Sequence, residues 1–332
     1  MTSLLSTFWS RLTNSTWAPA DTTARRLLLG LLAAPLLLAG CETAVDVPEP
    51  AHTPRVALLL TLDNLRWDDS LRRQDFVGRR PFVSVSQRLY DQNPLTGRAD
   101  ATVEVRDAGG QVVERYRPVA PAGNFEAGRY RPTLRYEFRP GQQYAVRVTV
   151  PGVEPAESQL VLPTEVPVQA TVTPLPSNTG QSRARVTVTF DDPAGAADYY
   201  LATARLVDAQ GQAQGFLNVE DEDTPTVSSY RLSDPSSNYN LYPFSDANLN
   251  GQQVSFSTVV SYFNGVPGAP PLYLEVTLVH LTRDLYLFFN SYAEYNNNHG
   301  NPFAEPAPLH SNLTPGFGVF GGAADASVRL PL

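Results

Sequence analysis

Asp246-Ala247-Asn248-Leu249-Asn250-Gly251 has the opening pattern of a calcium loop, in which oxygens at the first, third and fifth positions surround a cation and glycine makes the bend. The twelfth position of that pattern is Ser257 rather than glutamate. Asn250-Gly251 ahead of alternating Val254 and Phe256 is also a hairpin signal, and the turn is the stronger of the two readings. A second chemistry would pair two carboxylates, such as Glu220 and Asp246, for glycan hydrolysis. The run Glu220-Asp221-Glu222-Asp223 that supplies the first of them reads more simply as a solvated loop. His52, His280, His299 and His310 lack the close spacing that puts two imidazoles on one metal, although His299 and His310 flank Glu305. His280 is expected at a strand end with a backbone partner.

Aromatic and amide residues offer a different chemistry, that of recognition. Tyr230, Tyr239 and Tyr242 lie in a Ser/Asn/Tyr-rich stretch suited to sugars or peptides. Asn301, Phe303, Phe317 and Phe320 lie in two segments rich in Pro and Gly, expected to cap a sheet edge and dock on a helix, or to face a partner.

The most specific chemical signal is Leu38-Ala39-Gly40-Cys41, which closes the apolar run from Leu27 behind Arg25 and Arg26. Small residues before the only cysteine, and a run shorter than the roughly 20 residues of a spanning helix, have the form of a bacterial lipoprotein signal. Residues 1–40 are therefore expected to be removed, leaving Cys41 as the acylated first residue.

Composition narrows the remaining chemistry. All 25 basic residues are Arg, and without lysine there is no Schiff base, Walker-type phosphate lysine or Ser-x-x-Lys pair. An acylated Cys41 would leave no thiol for a nucleophile, a disulfide or a thiolate metal site. Residues 1–40 carry three Arg and one Asp, so their removal takes the formal net charge from -8 to -10. With arginine scattered singly and in two short pairs, nucleic acid is not an expected partner.

These residues must be positioned by strands. Glu42–Pro54 has three prolines and no apolar period, and reads as a tether over 41–54. Period-two alternation follows at Ala101, Val103 and Val105, at Tyr144, Val146, Val148 and Val150, and at Ala184, Val186, Val188 and Phe190. Asp191-Asp192-Pro193 stops the last of these runs. Asn218–Asn250 is polar and reads as a long loop. A switch to period 3.6 at Leu281, Leu285, Phe288, Tyr292 and Tyr295 predicts one helix over about 282–296. The predicted fold is all-β: an immunoglobulin-like N-terminal sandwich over 55–165, and a larger C-terminal β-sandwich-type domain over 166–332 carrying that amphipathic helix.

Asn301-Pro302-Phe303-Ala304-Glu305-Pro306, then Ser311-Asn312 and Gly316-Phe317-Gly318-Val319-Phe320-Gly321-Gly322, resemble a known lipoprotein family. The tether running into Arg55–Leu62, the step from Asp192-Pro193 to Tyr199-Tyr200, and Phe244-Ser245-Asp246 through Gly251 carry the same resemblance. It is to the domain of unknown function 4249 family of Gram-negative outer-membrane lipoproteins, with valine, leucine and arginine where relatives often have isoleucine or lysine. The resemblance implies a lipid-anchored protein at the outer membrane beside a TonB-dependent transporter, acting as an accessory or ligand-binding partner. It carries no catalytic residue. A glycan-acting hydrolase and a cell-surface structural or adhesion module are the alternatives.

Overall fold

The computed structural model describes residues 49–66, 79–88, 91, 93, 95–120, 127–178, 180–220, 230–233, 241–263, 272–298 and 307–332. Within it, Ala51–Leu332 forms one compact unit. The fold is all-β with a single long helix among the described residues.

The first half of the chain supplies β1 (Val56–Asp63), β2 (Phe82–Val85), β3 (Thr102–Asp107), β4 (Val112–Pro118), β5 (Tyr130–Pro132), β6 (Gln143–Thr149) and β7 (Ala156–Val161). Five of these form a sheet in the order β5-β4-β3-β6-β7. Its inner face is the predicted alternation: Val103, Val105, Tyr144, Val146 and Val148 are buried in one core with Leu58, Leu60 and Leu62 of β1. The second half supplies β8 (Val168–Asn178), β9 (Gln181–Asp191), β10 (Tyr199–Val207), β11 (Leu217–Glu220), β12 (Phe244–Ser245), β13 (Gln253–Tyr262) and β14 (Tyr273–Leu281). Helix α1 (Arg283–Asn298) and β15 (Gly316–Pro331) complete it. A four-stranded sheet, β11-β13-β9-β8, packs its Val186, Val188, Phe190 and Phe256 against Tyr200, Leu274, Val276 and Leu278 of a six-stranded sheet, β12-β10-β14-β15-β1-β2.

That six-stranded sheet joins strands from both sides of 165/166, the boundary expected between the two domains. The sixteen residues of β15 pair parallel with β1 from Gly316 to Ala323, then antiparallel with β14 from Ala323 to Pro331. One strand thus serves both cores: Phe320 packs in the first and Val328 against the second. Leu162–Pro167 does carry the chain between sandwiches, but no linker separates them as independent bodies. Strand-period reasoning is local and cannot see a pairing between the two ends of a chain.

Close approach along β15 is made by glycine. Gly318 has φ +95°, and a Cβ there would lie 2.0 Å from the Leu58 carbonyl oxygen of β1. A Cβ on Gly321 would lie 2.9 Å from the Leu285 side chain of α1, so the missing side chain is what lets the helix settle on the sheet. Helix α1 buries Leu285, Phe288 and Phe289. Tyr295, expected on the same face, is 42% exposed. Strand β14, whose Leu274, Val276 and Leu278 join the core under the four-stranded sheet while Val279 and Leu281 pack with α1, is buried on both faces.

Buried charges inside this fold are matched. Glu275, fully buried, receives Arg205 at 2.9 Å and Arg329 at 2.6 Å. Asp63 and Asp325 share Arg79, at 3.3 and 2.5 Å. Glu114, also fully buried, accepts backbone N–H groups from Arg115, Thr133, Leu134 and Tyr136 at 2.7–2.9 Å.

Candidate functional site

One group of acids departs from that pattern. Asp192 follows the last residue of β9, Asp198 precedes β10, and Asp246 follows β12, so two loop connections at one end of the C-terminal sandwich bring them together. One carboxylate oxygen from each lies within 4.8 Å of the other two. Asp192 and Asp246 are only 6% and 3% exposed. The loops are registered by main-chain bonds, Asp246 N–H to the Asp198 carbonyl at 3.1 Å and Asp192 N–H to the Gln252 carbonyl at 3.0 Å.

The neighbours of the three carboxylates are unequal. Asp192 accepts the Tyr200 hydroxyl at 2.6 Å on Oδ1 and the Gly251 N–H at 2.8 Å on Oδ2. Asp198 Oδ1 lies 3.1 Å from Nε2 of His280, whose Nδ1 lies 2.8 Å from the Thr164 carbonyl oxygen. Both imidazole nitrogens therefore face acceptors, and the Nε2–Oδ1 contact needs a proton on one of its two atoms. Asp246 has a buried Oδ2 with no hydrogen-bond partner.

Electrostatics follow from this crowding. Burial raises the Asp198 carboxyl above the ordinary aspartate range; the charges of Asp192 and Asp246 push the same way, and His280 opposes them. Burial, then the bond to Asp192, raises the Tyr200 phenol far above its usual value, so it stays a donor. Tyr200 stacks on His280, its register partner across β10 and β14, with ring centroids 5.1 Å apart.

Over residues 80–329 the sequence matches the family described as Domain of unknown function (DUF4249). The chain belongs to the DUF4249 family. Among curated proteins none matches it. The matched span of this DUF4249 protein runs from just before β2 to near the end of β15 and includes all three aspartates.

In this DUF4249 chain the residues singled out from the sequence are dispersed. Glu220 lies in β11 rather than a loop, gripped by Arg183 through contacts of 3.0 and 2.5 Å that hold its carboxyl below the usual range. Tyr230 does not face outward; its ring packs edge-on to Phe244, centroids 4.9 Å apart, against the C-terminal core. Tyr242 lies under the Arg231 guanidinium, 3.2 Å from the ring centroid. Phe317 is 49% exposed, whereas Phe320 is fully buried. Cys41, Tyr239, Asn301, Phe303, His299 and Glu305 lie outside the described residues.

The calcium-loop reading is redrawn by the fold. Asn248 is exposed. Asn250 is spent on the neighbouring loop, its Oδ1 accepting the Gly195 N–H at 2.8 Å and its Nδ2 donating to the Ala196 carbonyl at 3.3 Å. Of that candidate set only Asp246 joins an acidic group, and its companions come from elsewhere in the chain. Asp192 was visible as the strand stop in Asp191-Asp192-Pro193, and Asp198 carried no local signal at all. His52 reaches Ser86 Oγ at 3.0 Å, and His310 reaches Asp284 at 2.8 Å.

Proposed function

We propose that this DUF4249 protein is a non-catalytic, lipid-anchored binding module of the outer membrane, working as an accessory or ligand-binding partner of a TonB-dependent transporter. The observation that carries the reading is Leu38-Ala39-Gly40-Cys41, placed fifteen residues ahead of the first residue of β1. A chain of that length spans at most roughly 50 Å, so an acylated Cys41 would keep the β body close to the bilayer, where a transporter lies. Family membership supports the same setting. Phe216 and Phe263, 84% and 62% exposed, flank the paired Leu217 and Tyr262 and offer an apolar contact of the kind partner surfaces use.

Two observations weigh against the pair Glu220 and Asp246 in the rival hydrolase reading. A carboxyl held low by Arg183 is a poor general acid, which counts against Glu220, and Asp246 belongs to a different cluster. The test has two arms. Cys41→Ser should leave unprocessed, non-acylated precursor that no longer reaches the outer-membrane fraction; processing and outer-membrane fractionation like those of the wild type would overturn the anchor. Crosslinking in native membranes should recover a TonB-dependent transporter with the wild type. Recovery of none, or turnover of a glycan by the purified protein, would overturn the functional reading.

A further inference from the structure

We propose that Asp192, Asp198 and Asp246 form a binding site for an oxygen-seeking divalent cation of the calcium class, which fastens the β9–β10 connection to the β12–β13 connection. Three observations carry it. One oxygen from each carboxylate falls within 4.8 Å of the others, and two ligands on opposite sides of a calcium ion at about 2.4 Å stand about that far apart. Charge is the second. The other buried acids have their countercharges or donors: Glu275 has two arginines, Asp63 and Asp325 share one, and Glu114 has four N–H groups. Here three carboxylates converge with His280 on Asp198 as the only basic side chain bonded to any of them among the described residues. Third, Oδ2 of Asp246 is buried without a hydrogen-bond partner, in a side chain that is 97% buried and belongs to the converging set. Leaving an ionised oxygen unsatisfied is costly in a protein interior, and a cation in the cluster supplies what it lacks.

The donor set selects the class of metal. Carboxylate oxygens are hard ligands, which suit calcium, magnesium or manganese; thiolates are absent, and the one imidazole is turned to Asp198 and Thr164. Carboxylates retain lone pairs beyond those used, so the hydrogen bonds from Tyr200 and Gly251 leave Asp192 able to ligate while fixing its rotamer. The site would join the two sheets of the C-terminal sandwich, because Asp192 extends β9 of one sheet while Asp198 and Asp246 adjoin β10 and β12 of the other.

The experiment is thermal unfolding and titration calorimetry of the full chain in detergent, stripped with EDTA and desalted, with calcium chloride added and magnesium chloride in a parallel series. Calcium at a hundredfold excess over its Kd should raise the melting temperature by roughly 5–10 °C. Asp246→Asn and Asp198→Asn should each abolish most of that shift. Asp246→Asn also removes one of three crowded charges, so without metal it should melt no lower than the stripped wild type, which separates loss of a ligand from loss of the fold. A magnesium response as large as that of calcium would still identify a hard-cation site. Absence of heat and of any shift with either ion in the wild type, or a shift that survives intact in both variants, would overturn the proposal.

Discussion

Asn312 holds the main chain of Phe320 from both sides, its Oδ1 accepting the Phe320 N–H at 2.9 Å and its Nδ2 donating to the Phe320 carbonyl at 2.9 Å. The same Nδ2 reaches Asp284 of α1 at 3.2 Å. This one amide therefore fixes β15 where it passes from β1 to α1. Asn312→Ala removes both strand contacts and should cost about 2 kcal/mol, at roughly 1 kcal/mol for each hydrogen bond lost. Denaturant unfolding would show it as a lower midpoint with an unchanged slope; an unaltered midpoint would contradict the assignment.

Glu114 organises the turn after β5. The carboxylate is fully buried and takes N–H groups from Thr133, Leu134 and Tyr136, while Arg135 between them adopts φ 58°. Glu114→Gln replaces an acceptor oxygen with a donor that faces other donors. The loss should be about 3 kcal/mol, since charged hydrogen bonds are worth roughly 1.5–3 kcal/mol each. A melting temperature within a degree of wild type would argue that the turn is held by something else.

Gly318→Ala tests the β1–β15 junction. A methyl group there would meet the Leu58 carbonyl oxygen at 2.0 Å, and φ +95° is unfavourable for alanine in any case. The neighbour is backbone and cannot swing away. Expression should yield insoluble or protease-sensitive protein, whereas a soluble variant with wild-type protection of β1 amides in hydrogen exchange would refute the close approach.

The Arg183–Glu220 pair gives a pH dependence of definite sign. Glu220 is held below its ordinary carboxyl value, chiefly by the hydrogen bond from Arg183. Its contribution is thus fully present above the unfolded value of about 4.3 and lost as pH falls through the lower folded value. The pair is partly exposed, so the effect should not exceed about 1 kcal/mol. Comparing wild type with Glu220→Gln by denaturant unfolding, the difference should be largest at neutral pH and shrink in acid; a difference that grows in acid would reverse the assignment.

Much of the scaffold was legible because its signals are local. The alternation at Val103–Val105, Tyr144–Val150 and Ala184–Phe190 marked buried faces correctly, and the period change near Leu281 located α1 within two residues at each end. What local reading missed is long range. Nothing about Val56–Asp63 shows that its partner is Gly316–Ala323, and nothing beside Tyr230 in the chain shows that its ring packs against Phe244 and Phe256. The acidic cluster is of the same kind. Asp246 was singled out for the spacing of Asn248 and Asn250, yet the residues beside it are 54 and 48 positions earlier in the chain.

The sharing of β15 sets the order of events at birth. Val56 pairs with Gly316, a separation of 260 residues, so β1, whose other edge is taken by the nearby β2, keeps one edge open until the last strand has been made. Closure over that length is slow, and that edge of β1 must wait for the remainder of the chain. Such a strand is an open invitation to self-association, and a holding chaperone is the natural remedy. A copy cut short before Gly316 would lack the strand that both sandwiches use, and would be born without a way to finish folding.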